Sequence, residues 1–468
     1  MMKNKAMRCV WLVCGLLMLA VTSCKDDLLY TDGEPIPEGE TTIIAQVDFR
    51  PLVEGLAGKS RTAGDAIKSI QDLCVLLYDT EGNFVEGHSL ESISNANPTD
   101  GQFYVNEVTR KDGDAPDGGT IAETKTPQAN LKLTIPYGRY YIYAVANMGE
   151  DFKKAVQAHG KENGAAEEVA KYKTAIATKE GLKSISLTWD VADVAKNSQM
   201  FGHFTIVGQE NNSELITINK KGMKLHSWIR RAASKVTIAY DGSKLEEGVF
   251  IYLKSVTIKD IPQNCCLGQD NPAVPENYQP KDRDEGVKLD LIKNGETIKY
   301  YEGDTEPTIS DFKETYEARI TKGKPLFGSK EQGENAYHPK KLADVHTEIT
   351  NALYFYENMQ GKGKEGTPSD KRQVVANTLN KTEPTYPNGG QENNEAWKDA
   401  KPYGTYIEVD AFYVSINDKK VGRGPIKYRF MLGKDVITDY NAERNHHYKL
   451  TLKFKGYAND ADWHIEYR

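Results

Sequence analysis

Short runs of alternating apolar and polar residues, separated by polar turns, recur along most of this chain and confine it to β architectures. The run "TTIIAQVDF" (41–49) shows the pattern most cleanly: Ile43, Ala45, Val47 and Phe49 fall on one face, and Thr42, Gln46 and Asp48 on the other, with Ile44 the exception. A period of two gives a strand one buried side, and the register of such a strand is well specified. Further strands are expected at "LCVLLYD", "QANLKLTIP", "RYYIYAVAN", "GHFTIV", "SELITI" and "MKLHSWI". The second half continues with "FIYLKSVTI", "NALYFYEN", "TYIEVDAFYVS", "IKYRFML" and "HHYKLTLKF". Tyr outnumbers Phe 26 to 13, which suits strands with one wet face. Strands at this spacing, without regular helical crossovers, indicate β-sandwiches rather than a parallel α/β sheet.

One helical region interrupts the pattern between Asp151 and Asn197, where "AAEEVAKYKTAIA" has helical spacing and "TKEGLKSISL" starts a second short helix despite its glycine. "YDTEGNFV" reads as a hairpin turn with Gly82 at the position that tolerates positive φ. "SWIRRAASKVTIAY" marks a boundary, with one strand ending near Trp228 and another starting at Lys235. The expected division is a leader at 1–23, a removable segment at 24–61, a first sandwich at 62–229 and a second at 230–468. Two long stretches of the second sandwich, about 262–350 and 360–402, are rich in Pro, Gly, Asn, Lys and Glu and read as loop insertions. No internal repeat stands out in the sequence.

The beginning of the chain points to export. Lys3, Lys5 and Arg8 precede the apolar run "CVWLVCGLLMLAV", which has the length of a signal peptide and is too short to span a bilayer. "VTSC" follows, with Cys24 ahead of Lys25, Asp26 and Asp27, and this resembles a bacterial lipobox with Cys24 as the acylated residue. An ordinary signal peptide with an incidental cysteine is the alternative. Several acyl chains on one residue would hold a protein firmly to a membrane, at about 0.8 kcal/mol per buried CH₂. The remaining cysteines, Cys74 in an apolar strand and the adjacent Cys265 and Cys266, make neither a disulfide scaffold nor a metal-ligand pattern. A net charge of −7 gives no electrostatic footprint for nucleic acid.

Downstream of the first strand, "GKSRTAGDAIKS" (58–69) holds Lys59, Arg61 and two glycines and little that could pack, as a protease-accessible tether would. Arg50 is followed by Pro51 and makes a poor trypsin-like site, which leaves Arg61 as the expected cut, with Lys59 behind it. Loss of the strand ahead of the cut would strip a sandwich of an edge partner and expose an apolar slot that another strand must fill. The chain finishes "NDADWHIEYR", where Ala461, Trp463, Ile465 and Tyr467 share one face and Asp462, His464, Glu466 and Arg468 the other. This tail has the alternation of a donor strand, and equally that of the last strand of its own sandwich.

Several pieces in order resemble the fimbrillins of Bacteroidales-type bacteria: "CVLLYDTEGNFV", "GRYYIYAVANMG", "MFGHFTI", "ALYFYENMQG", "YRFMLGKD" and "YNAERNHHYKLTLKFKG", behind the lipobox. The likeness runs from about Leu73 to Tyr467. It implies an all-β chain of two transthyretin-like β-sandwich domains in series, exported as a lipoprotein to the outer membrane and cut after an arginine by a trypsin-like surface protease. It further implies polymerisation with other fimbrial subunits by strand exchange, adhesion to host or bacterial surfaces, no cofactor and no enzymatic activity. Position in the fibre, stalk or tip, stays open.

Competing features are weaker. His446 and His447 are adjacent, so in a strand they point to opposite faces and do not chelate one ion easily. "YFYEN" (354–358) has the aromatics of a glycan platform, but strand spacing reads as half core and half surface. No nucleophile elbow, zincin motif, phosphate loop or dinucleotide fingerprint occurs. The rival from another class is a monomeric surface lipoprotein that binds a glycan or protein ligand and keeps its first strand.

Overall fold

The computed structural model describes residues 35–49, 72–85, 90–94, 128–157, 167–190, 198–209, 213–246, 249–273, 289–299, 326–327, 352–366, 370–371, 404–417, 419–456 and 460–467. The chain is all-β in class and sandwich-like, with its described helices confined to the first half. That half contains β1 (Glu40–Phe49), β2 (Asp72–Tyr78), β3 (Leu90–Ser94), β4 (Gln128–Pro136) and β5 (Gly138–Ala146). Helices α1 (Glu150–Gln157), α2 (Glu167–Ile176) and α3 (Lys179–Lys183) follow. Then come β6 (Ser186–Thr188), β7 (Met200–Ile206), β8 (Leu215–Ile218) and β9 (Lys224–Arg231).

Local chemistry accounts for the punctuation. Between β2 and the bridge at Asn83, Asp79 Oδ1 accepts hydrogen bonds from the backbone N–H of Glu81 and Asn83, and Gly82 takes φ +86°. The glycine of α3 is obligatory, because a Cβ on Gly181 would collide with the carbonyl oxygen of Ala175. Thr178 caps α3 by accepting from the Gly181 N–H at 3.1 Å.

Sheet order in the first half is β3-β2-β5-β7-β9-β1-β4, with β8 also on β5. Inward side chains of these strands, among them Leu73, Val75, Leu77, Ile142, Phe204, Leu225 and Ile229, form one continuous apolar core.

The second half holds β10 (Ala233–Leu245), β11 (Val249–Pro262), β12 (Asn264–Cys266), β13 (Leu291–Lys299) and β14 (Leu326–Phe327). It continues with β15 (Ala352–Tyr356), β16 (Asn358–Lys362), β17 (Tyr406–Asn417) and β18 (Lys420–Met431). It ends with β19 (Asp439–Ala442), β20 (His447–Gly456) and β21 (Asp460–Tyr467). Its main sheets are β15-β10-β20-β21 and β13-β11-β17-β18, facing one another across a core that includes Ile238, Val256, Val409, Tyr428, Leu450 and Phe454. The stretch expected as a loop from about 262 thus contains β12, β13 and β14.

The two halves repeat one topology, although the sequence shows no repeat. In the first half β2 pairs antiparallel with β3 and β5, and β5 with β7. In the second, β11 pairs antiparallel with β13 and β17, and β17 with β18. In each half the first strand lies parallel to a late strand, β1 to β9 and β10 to β20. On its other side that first strand is antiparallel to β4 or β15. The halves differ in several pairings, among them β8 on β5 and β14 on β11. β7 bridges β5 and β9, whereas the edge of β20 at the corresponding position carries β21, a strand without a counterpart among the described residues of the first half.

A third apolar cluster joins the halves. Phe152, Ile176 and Leu182 of the helices pack with the outer side chains of β2 and β5 and with Cys265, Leu267, Tyr354 and Tyr356 of the second half. A short ribbon between β6 and β12 runs alongside it. Within the second half, Arg444 braces the β12 end of this cluster, donating to the carbonyls of Cys266, Leu267 and Gln269 and pairing with Glu357 at 2.8 Å.

Candidate functional site

β1 forms because Thr41, Thr42, Ile43, Ile44 and Val47 are β-branched and favour extended backbone. Gly39, at φ +95°, opens it, and the Gly39 carbonyl accepts from the Tyr137 N–H at 2.9 Å. The sequence expects this strand at an edge. The structure places it inside the sheet, antiparallel to β4 from Glu40↔Pro136 to Asp48↔Gln128 and parallel to β9 from Ile44↔Lys224 to Phe49↔Ile229. The correction has a physical reason: alternation reports which face of a strand is buried, not how many neighbours it has.

Ile43, Ala45 and Val47 are all 0% exposed and belong to the first core. Burial of the two larger side chains contributes about 1.5–3 kcal/mol each. The register sets Ile43 beside Leu133, and sets Ala45 between Leu131 and Leu225. Ile44, the exception to the alternation, points outward and is 49% exposed. Among the described residues β4 pairs with β1 alone, so β1 is also what ties β4 to the rest of the sheet.

Only residues 50–71 connect β1 to β2, and Arg61 lies within them. Arg61 and Cys24 both fall outside the described residues. The tail strand β21 lies antiparallel on β20, with Tyr448↔Tyr467, Leu450↔Ile465, Leu452↔Trp463 and Phe454↔Ala461 in register. Among the described residues it occupies the end of its sheet and has a partner on one side.

Other groups singled out in the sequence are built into the fold. Tyr354, Phe355 and Tyr356 are all buried, Phe355 in the second core and the two tyrosines in the seam, so "YFYEN" offers no ring to a ligand. His447 Nε2 lies 2.7 Å from Thr237 Oγ1, and His446 Nδ1 lies 2.5 Å from the Arg444 carbonyl oxygen. No group of three metal-ligating residues stands together among the described residues.

Glu408, which no sequence pattern marks, is 6% exposed on β17 and is met by Lys259 at 3.3 Å, Lys427 at 3.1 Å and Arg429 at 2.8 Å. Burial alone would raise its pKa. The hydrogen bond from Arg429 and the charges of Lys427 and Arg429 outweigh burial and hold the carboxyl below its ordinary range. Its three partners come from β11 and β18, so the cluster fastens three adjacent strands.

Residues 353–452 match a family profile described as a domain of unknown function, DUF4906. Among curated proteins there is no sequence match. Solved structures with some likeness to it include a candidate cell adhesion protein of Parabacteroides distasonis, at 10% identity and a TM-score of 0.40, covering 92% of this chain and 99% of that one. A second from the same organism has 9% identity and a TM-score of 0.42, covering 91% and 96%. The tip fimbrial protein Mfa3 of Porphyromonas gingivalis, with a C-terminal truncation, has 10% identity and a TM-score of 0.36, covering 92% and 99%. At such scores these likenesses carry no weight for function.

Proposed function

We propose that this chain is a structural subunit, stalk or tip, of a surface fimbrium that supports cell adhesion. It is exported as a lipoprotein through Cys24, cut after Arg61 by a trypsin-like surface protease, and joined to its neighbours by strand exchange. It has no enzymatic activity of its own. The two topological halves serve as two sandwich domains in series, divided near residue 230.

The observation that carries this reading is the position of β1 between β9 and β4. A strand in that position, tied to β2 only through 50–71, can be released by one cut in that connection. Its departure would leave a slot with backbone donors and acceptors on both walls and an apolar floor. An opening of that kind favours capture of another extended segment.

The direction of exchange follows from counting walls. A donor strand held by one neighbour, as β21 is by β20 among the described residues, gains a second ladder on entering a slot with two walls, and the β1 position is of that kind. Moving from a one-sided to a two-sided position gains backbone hydrogen bonds, each worth about 0.5–1.5 kcal/mol net. The outer membrane, through lipid on the precursor, and receptors on host or bacterial cells are the partners beyond the fibre itself.

Arg61→Ala tests the reading. Expressed in a host that assembles the fimbrium, the variant should stay uncut and fail to enter fibres, with the sandwiches intact by circular dichroism. Normal incorporation of the uncut variant would overturn cleavage as the trigger of assembly, whereas a protein that forms no fibres with or without Arg61 would favour the monomeric binder, for which residues 24–61 are a passive spacer.

A further inference from the structure

We propose that the β1 slot selects a strand whose inward side chains run large–small–large, and that it rejects this chain's own C-terminal strand, so its occupant comes from a different polypeptide. The proposal rests on the strand-acceptance reading and adds the identity of the partner to it.

The constraint sits at Ala45. Its methyl group is fully buried, with Leu131 of β4 and Leu225 of β9 beside it in register, and both of these leucines are buried in the same core. On either side along the strand, the Ile43 and Val47 places accept aliphatic side chains, and both are fully buried as well. Interiors packed at this density do not take a large residue for a small one without displacement of neighbours.

The tail reads N-D-A-D-W-H-I-E-Y from Asn459 to Tyr467. An incoming strand that runs as β1 does must offer either its odd or its even residues to the core. The even set, Asp460, Asp462, His464 and Glu466, would bury three carboxylates and an imidazole without partners, so it is excluded. The odd set can be placed in several registers. Three of them set Trp463, Ile465 or Tyr467 where Ala45 sits, and each overfills that place, while a fourth sets Asn459 there and buries its amide among leucines. One sets Ala461 there, and it then drives Asn459 into the Ile43 position, a buried apolar place beside Leu133. No register satisfies both places. β21, where it acts as a donor, therefore serves a slot other than this one, and this chain does not extend a fibre with copies of itself.

Peptide exchange tests this on the full chain. A site-specific protease sequence replaces residues 59–62, the chain is cut, and fluorescent peptides are added in excess while anisotropy is followed. The peptides are residues 38–50, residues 457–468, and 457–468 carrying Trp463→Ala. The expected result is uptake of 38–50, uptake of the native tail at least about tenfold weaker, as one overpacked site would cost, and recovery in the Trp463→Ala tail. Uptake of the native tail within about threefold of 38–50 overturns the selectivity while leaving strand acceptance intact. If no peptide enters, strand acceptance itself fails, and the selectivity with it.

Discussion

Ala45 is the smallest of the three inward residues whose burial defines the floor beneath β1, and its size is what a substitution there would test. Ala45→Trp in the uncut chain should lower the denaturant midpoint by an amount equivalent to about 3 kcal/mol, since the leucines on both walls leave no room for an indole. An unchanged midpoint would show that the slot is looser than its packing implies. Glu408 gives a pH-dependent counterpart. Its folded pKa lies below that of an unfolded carboxylate, so the stability it contributes is fully present above about pH 4.3 and is lost as pH falls through the folded value. Glu408→Gln should therefore cost about 1–3 kcal/mol at neutral pH, discounted because Lys259, Lys427 and Arg429 are partly solvated. Below pH 4 its stability should fall less steeply than that of the parent. Parallel acid profiles for the two proteins would mean that the cluster contributes nothing.

At the scale of elements, β1 and β4 stand or fall together. Once β1 is released, the amides of Leu131–Ile135 lose their described partner strand, while β2 and β5 keep each other. Hydrogen exchange on the cut chain should show protection lost across β4 and along the β1-facing edge of β9, and retained in β2 and β5. Retained protection in β4 would mean that β1 stays in place after the cut. Much of this was legible in the sequence. Alternation marked β1 and its inward face, and the outward position of Ile44 explains the single break in that pattern. The glycine of "TKEGLKSISL" was compatible with a helix because close approach of the Ala175 carbonyl demands it. Neighbours were not legible, since the ladder between β1 and β9 joins segments about 180 residues apart and no local pattern encodes such a pairing. β13 escaped because "LIKNGETIK" carries a glycine and polar residues on an exposed edge strand, where alternation is weak. The tail's alternation was visible, but only the fold shows that β20 has an open edge for it to cover.

Among the described residues the two halves share one set of strand pairings, to which the molecule adds a first strand held through a long connection and a last strand laid on a single neighbour. The seam of Phe152, Leu182, Tyr354 and Tyr356 packs both halves into a shared apolar cluster, and the Arg444–Glu357 pair braces its second-half side. Release of β1 would therefore open a slot in a body whose remaining parts support one another, as a subunit that must survive losing a strand requires. The central claim is that β1 is removed at the surface. It is tested most directly by the N-terminal sequence and intact mass of the protein recovered from the cell surface. A start at Thr62 without lipid is the predicted result. A start at acylated Cys24, with residues 40–49 still covalently attached, would contradict it.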